Sequence, residues 1–272
     1  MIPVKKLTRK IIFHYNFHLK ICRAILREFF MKKVILFFAV AVLSLQAICA
    51  NVEMNLSLGY SPYDFISLVD EEDNSANVVF QRPLDFGMQW GFYFGSPVKF
   101  MDIGLGLSYG LGTFSKFNVL DGNDTVYSGK MSFGAKGYIY LAPAIRFNIS
   151  ENHSFVVNPG FGMNNKSYSY YSSSHTSSFN SKMFMFNLNL GYRFWFVNNK
   201  NFLFGLGAGY ELSLPIAGYS EYSYGANYDD AISKTGFVIF GTENKFYLSM
   251  VFNYGKRGLE KYLYPEKSDD DD

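Results

Sequence analysis

The chain has 272 residues, of which 19% are aromatic and 18% charged, with a formal net charge of +2. Charge this sparse, below the ~25% usual in soluble globular domains, together with a mean hydropathy near zero, argues against an ordinary soluble domain. Only one long apolar run occurs, near the N-terminus, so a bundle of membrane helices, each needing ~20 apolar residues, is excluded.

Residues 1–50 read as a basic upstream extension followed by a signal peptide. Met31-Lys32-Lys33 supplies a basic start and the expected initiator. Residues 34–45 form the apolar stretch, and 47–50 supply small residues before a cut expected after Ala50. Gln46-Ala47-Ile48-Cys49 is a poor lipoprotein box, so Cys49 is expected to leave with the leader, as is Cys22. Glu28 is the sole acid in this base-rich stretch. Its removal leaves a net-negative, cysteine-free chain without disulfide or thiol chemistry. That charge argues against a nucleic-acid partner.

Eight segments of strict alternation follow. The first, 51–61, aligns Val52, Met54, Leu56, Leu58 and Tyr60 on one face. The second, 84–95, aligns Leu84, Phe86, Met88, Trp90, Phe92 and Phe94. The third, 101–114, aligns Ile103, Leu105, Leu107, Tyr109 and Leu111. The fourth ends at Asn148 and the fifth covers 154–163. The sixth, 183–196, is the clearest, with Phe184, Phe186, Leu188, Leu190, Tyr192, Phe194 and Phe196 in one unbroken apolar row. The seventh covers 202–214 and the eighth 245–254. A period of two puts the two residue sets on opposite faces of a strand. Each segment is long enough for the ~9–11 residues that carry a tilted strand across a bilayer.

The connections alternate in length. Those at 96–100, 149–153 and 197–201 are short, whereas 62–83, 115–132, 164–181 and 215–235 are long and polar, the third rich in serine. They are expected to be loops. The short apolar run 237–240 is expected to extend the eighth strand outward, with Val238 and Phe240 in the phase of Phe246. The acidic stretch 255–272 is expected to be a disordered tail.

The charges decide which face meets lipid. Glu53, Asp85, Asp102, Lys136, Arg146, Arg193, Glu211 and Lys245 all lie opposite the apolar rows. A lysine or arginine on a lipid face at mid-bilayer costs ~2–4 kcal/mol. The charged phase also carries Gly87, Gly110, Gly191 and Gly209 with Tyr93, Tyr138, Tyr140, Trp195 and Tyr247. That mixture of very small and very large side chains suits a narrow lumen. The reading is therefore all-β: an eight-stranded antiparallel transmembrane barrel with short periplasmic turns and long extracellular loops.

Segments such as Asn189-Leu-Gly-Tyr-Arg-Phe194 and Gly205-Leu-Gly-Ala-Gly-Tyr210 resemble the small outer-membrane barrels of the OmpW/OmpX/OmpA-transmembrane type, over about 51–254. The resemblance implies a bacterial outer-membrane location, contact with lipid and with the outer-membrane assembly machinery, and a monomer. It also implies either a structural or adhesive surface role, with loops offered to a host or surface ligand, or a narrow channel for small solutes, hydrophobic ones among them. In the first case the eight charges form a lattice that fills the lumen; in the second they line a pore. Their equal numbers of acids and bases favour the lattice.

No motif points to catalysis or to a cofactor. The glycine-rich runs at 104–110 and 205–209 lie within strands and lack the following helix of a phosphate loop. His153 and His175 are the only histidines after the leader, too few and too far apart for a zinc site. The chain is expected not to be an enzyme and to need no metal.

Overall fold

The computed structural model describes residues 51–69, 75–81, 83–98, 100–121, 124–172, 174–199, 201–225, 232–255 and 257. The expected leader, residues 1–50, and the acidic stretch beyond Arg257 lie outside the described residues. The described residues form strands β1 (Asn51–Val69), β2 (Ser75–Gln81), β3 (Leu84–Val98), β4 (Met101–Phe114), β5 (Lys116–Asp121), β6 (Asp124–Ser128), β7 (Gly134–Ser150), β8 (His153–Ser172), β9 (His175–Asn199), β10 (Phe202–Gly225) and β11 (Ile232–Gly255).

Eight of these close into a ring, β1-β3-β4-β7-β8-β9-β10-β11, sealed by antiparallel pairing of β11 with β1. The ring is staggered, as closure with tilted strands requires. Partners followed around it run Leu58, Phe86, Leu111, Gly137, Asn165, Lys182, Tyr219 and Phe237, and return to β1 at Val69 rather than Leu58.

Closure leaves the lower wall no free edge, the condition for crossing hydrocarbon; its β7–β8 ladder is interrupted between Leu141/Phe161 and Ile145/Val157, where Pro143 and Pro159 have no N–H to donate. The apolar rows face outward, with Leu248 at 71% exposure and Leu111 at 73%, while the alternate residues are buried in the lumen. This is an all-β, eight-stranded antiparallel barrel of the outer-membrane type.

The long connections differ from the expectation. Residues 164–181 are not a serine-rich loop: β8 and β9 run on as a hairpin that closes with Ser172 opposite His175. Residues 62–83 and 115–132 contribute the end of β1 and all of β2, β5 and β6, and most of 215–235 is strand. The physical reason is a change of solvent. β9 has 25 residues, far more than the ~9–11 that cross a bilayer. Above the membrane, its outer face meets water and its inner face must carry the core. Ser and Asn then alternate with inward Tyr168, Phe179 and Met183. An apolar row outside a polar lumen gives way to a polar exterior around an apolar interior.

The wall also changes partners with height. β3, β4 and β7 end at Leu84, Phe114 and Gly134, and their place is taken by β2, paired to the upper part of β1, then β5 and β6. Phe80, Phe114, Phe117, Phe179, Tyr168, Ile66, Leu68 and Val78 pack into a buried cluster across this upper barrel. The stretch 237–240 does belong to the last strand of the ring, but Val238 is buried and Phe240 exposed. The register shift between Ser67 and Leu68 leaves Ile239 without a partner and breaks the phase assumed from Phe246.

Candidate functional site

Alternation on the ring strands sends every second side chain of the lower barrel inward, and the lumen fills in tiers. At the bottom, Trp195, Leu203 and Val251 form a small apolar cluster. The Trp195 indole donates to Ser154 Oγ at 2.9 Å, and the Arg257 guanidinium lies over the Trp195 ring at 5.7 Å.

Above it sits a four-membered chain of alternating charge. Arg146, wholly buried, donates to Asp102 Oδ2 through Nη2 at 2.7 Å and Nε at 3.0 Å, and to Glu53 Oε2 through Nη1 at 3.0 Å. Asn253 and Asn51 accept its remaining hydrogens at 2.7 and 2.9 Å, and the Tyr93 ring stacks under it at 4.1 Å. The other oxygen of Glu53 takes Arg193 Nε at 3.2 Å. Lone buried charges would be costly; here each guanidinium and carboxylate is met by partners.

The middle tier pairs Lys245 with Glu211 at 2.8 Å, with Tyr138 OH at 3.3 Å from the same ammonium. Tyr247 donates to Asn189 Oδ1 at 3.0 Å. Two glycines make room for these rings. A Cβ on Gly110 would stand 2.5 Å from the Tyr138 ring, and one on Gly209 would stand 2.3 Å from that of Tyr247.

The upper tier is a chain of five. Lys136 bridges Asp85 at 2.8 Å and Glu243, and Lys166 joins Asp64 to Glu243 at 3.9 Å. Lys166 Nζ also sits 4.0 Å from the centre of the Phe80 ring, which belongs to the apolar cluster above.

All eight charges singled out from alternation are thus buried in the lumen, and every one is ion-paired. Four more were not foreseen: Asp64, Lys166, Glu243 and Arg257. Glu243 follows the inward phase one step past the segment end at 245, and Lys166 two steps past the end at 163, after Asn164, so continuing the alternation would have found them. Asp64 is hidden by the register shift between Tyr60 and Tyr63, which inverts the phase of upper β1. Arg257 lies beyond the last strand and has no periodicity to reveal it.

At the outer tip, Tyr127 of β6 and His175 of β9 share a hydrogen bond of 2.6 Å and stack with centroids 5.6 Å apart, and Tyr224 stacks on Tyr127 at 4.6 Å. Burial of its ring, helped by the charge of Lys130, holds the His175 pKa below the usual 6.5. His153 stands at the other end of the barrel, against Tyr192 and Phe194. Among the described residues no three His, Asp or Glu side chains are grouped to hold a metal ion.

No protein-family model and no curated protein matches the chain. Among solved structures it is similar to the outer membrane protein OprG from Pseudomonas aeruginosa, at 9% identity and TM-score 0.46, over 76% of this chain and 98% of that one. It is also similar to the outer membrane protease OmpT from Escherichia coli, at 8% identity and TM-score 0.43, over 75% and 96%. A third is a major outer membrane protein from Thermus thermophilus, at 12% identity and TM-score 0.44, over 75% and 99%.

Proposed function

We propose that this protein is a non-enzymatic outer-membrane barrel with a closed lumen, whose role is structural or adhesive. One observation carries the reading. Six carboxylates and six cations, the eight expected charges with Asp64, Lys166, Glu243 and Arg257, are buried in the lumen beneath an apolar cap. A conducting pore would leave such groups wet, whereas a dry interior needs equal charge and close pairing. The part left to act is the upper barrel, whose outer strands are rich in Ser and Tyr around Ser167, Ser169, Tyr171 and Ser178. Tyr supplies contact area at low entropy cost and Ser adaptable hydrogen bonds, the combination that recognition surfaces favour. Export with loss of residues 1–50 belongs to the same reading, with a mature start at Asn51 that N-terminal sequencing of the membrane-extracted protein tests.

Recording from purified protein in planar bilayers tests the closed lumen. The expected result is a sealed membrane without stepwise currents. A steady conductance whose ion selectivity shifts in Glu53→Gln would overturn it in favour of a narrow solute channel. That second reading has its own support: buried Asn55 Oδ1, Asp85 Oδ1 and Ser249 Oγ have no hydrogen-bond partner in the chain, and such atoms ordinarily take water.

A further inference from the structure

The outer face of the upper barrel is not uniform. On β8 and β9 it is polar, with Asn165, Ser167, Asn180 and Lys182 exposed. On the adjacent strands β1, β10 and β11 it presents Tyr63, Ile216, Tyr219, Phe237, Ile239 and Phe240, with Phe237 at 65% and Ile239 at 61% exposure. Tyr219 pairs directly with Lys182 and with Phe237, so the change of character occurs between neighbouring strands at one register level.

Each of the three strands reaches this patch through an irregularity. β1 shifts register between Tyr60 and Tyr63, β10 leaves Ile216 unpaired between Pro215 and Ala217, and β11 leaves Ile239 unpaired between Val238 and Phe240. A bulge interrupts the ladder and re-aims a side chain, and all three set an apolar or aromatic one outward. The β10–β11 ladder is itself interrupted from Ser213/Glu243 to Tyr219/Phe237. A contiguous apolar patch is unfavourable against water. Contact with lipid at the headgroup level of a bilayer relieves that cost. Tyrosine is favoured there, and Lys182 beside the patch supplies a cation for lipid phosphates.

We propose that the bulged patch on β1, β10 and β11 is a raised lipid-contact surface, so that membrane lipid climbs one side of the upper barrel while β8 and β9 stand in water. The patch continues the lipid-facing row through Tyr60 and Phe246, and this inference rests on the reading that the row spans a membrane.

The test places single tryptophans in a Trp90→Phe parent, with Trp195 in the lumen as a constant background. Full-length protein carrying Ile239→Trp, Phe237→Trp, Leu248→Trp or Ser167→Trp is folded into phosphatidylcholine vesicles with bromine on the acyl chains close to the headgroup. Ile239→Trp and Phe237→Trp are expected to lose emission as Leu248→Trp does, with Ser167→Trp unquenched. Quenching of Leu248→Trp alone would overturn the raised surface and leave the spanning barrel intact. No quenching at Leu248→Trp would remove the spanning reading and this inference with it. A blue-shifted but unquenched Ile239→Trp whose emission depends on protein density would show that a second copy covers the patch, and would equally overturn the lipid assignment.

Discussion

Glu53 of β1 and Arg193 of β9 meet at 3.2 Å across the lumen, from strands that share no ladder. Glu211, which stands on β10 beside β9, pairs instead with Lys245 at 2.8 Å. Arg193→Met should therefore leave Glu53 with one guanidinium fewer and lower the melting temperature in detergent, by a destabilisation of roughly 3–5 kcal/mol for a buried pair broken on one side. Adding Glu53→Gln should restore part of that loss, because Arg146 retains Asp102. Adding Glu211→Gln should deepen it by stranding Lys245. Rescue by Glu211→Gln rather than by Glu53→Gln would contradict the pairing.

The outward rows make a second expectation. Leu188 belongs to the apolar row of β9, and its neighbour Asn187 is buried and donates to Ser213 Oγ at 2.9 Å. Leu188→Arg should cost ~2–4 kcal/mol near mid-bilayer and reduce the yield of heat-modifiable, folded protein in vesicles, while Leu188→Phe should fold normally. Equal yields for the two variants would refute the lipid-facing phase.

The apolar cap makes a third. Phe117 is fully buried among Tyr127, Tyr168 and Phe179, with ring centroids 5.2–5.6 Å away. Phe117→Ala should remove roughly 3–5 kcal/mol of packing, and β2, β5 and β6 should lose hydrogen-exchange protection while the ring strands keep theirs. Uniform loss over the whole barrel would mean that cap and ring fold as one unit.

A fourth concerns pH at the tip. His175 has its pKa lowered from 6.5, chiefly by burial, so folding favours the neutral ring. The sign follows: the Tyr127–His175 contact is fully supported above pH 6.5 and is weakened as pH falls through the lower folded-state value. An NMR titration of the His175 ring in micelles should give a midpoint below 6.5. A midpoint at or above that value would show that the ring is neither buried nor repelled by Lys130.

The barrel and the identity of most lumen charges were legible in the sequence because both follow from one local rule. Alternation fixes which face of a strand a side chain occupies, and lipid admits only the apolar set, so Glu53, Arg146 and Arg193 had to point inward. The same rule failed where its solvent changed. Above the membrane, Ser169 and Asn180 face water and Tyr168 and Phe179 face the core, a pattern that reads as loop when a greasy exterior is sought. Tertiary structure alone decided the rest. The bulges at Tyr60/Tyr63 and Ile239 shift the phase without a signature in composition, which hid Asp64 and misplaced Val238. Partners across the lumen depend on the stagger of the closed ring, a property of all eight ladders together, so no local pattern could assign Arg193 to Glu53 rather than to Glu211.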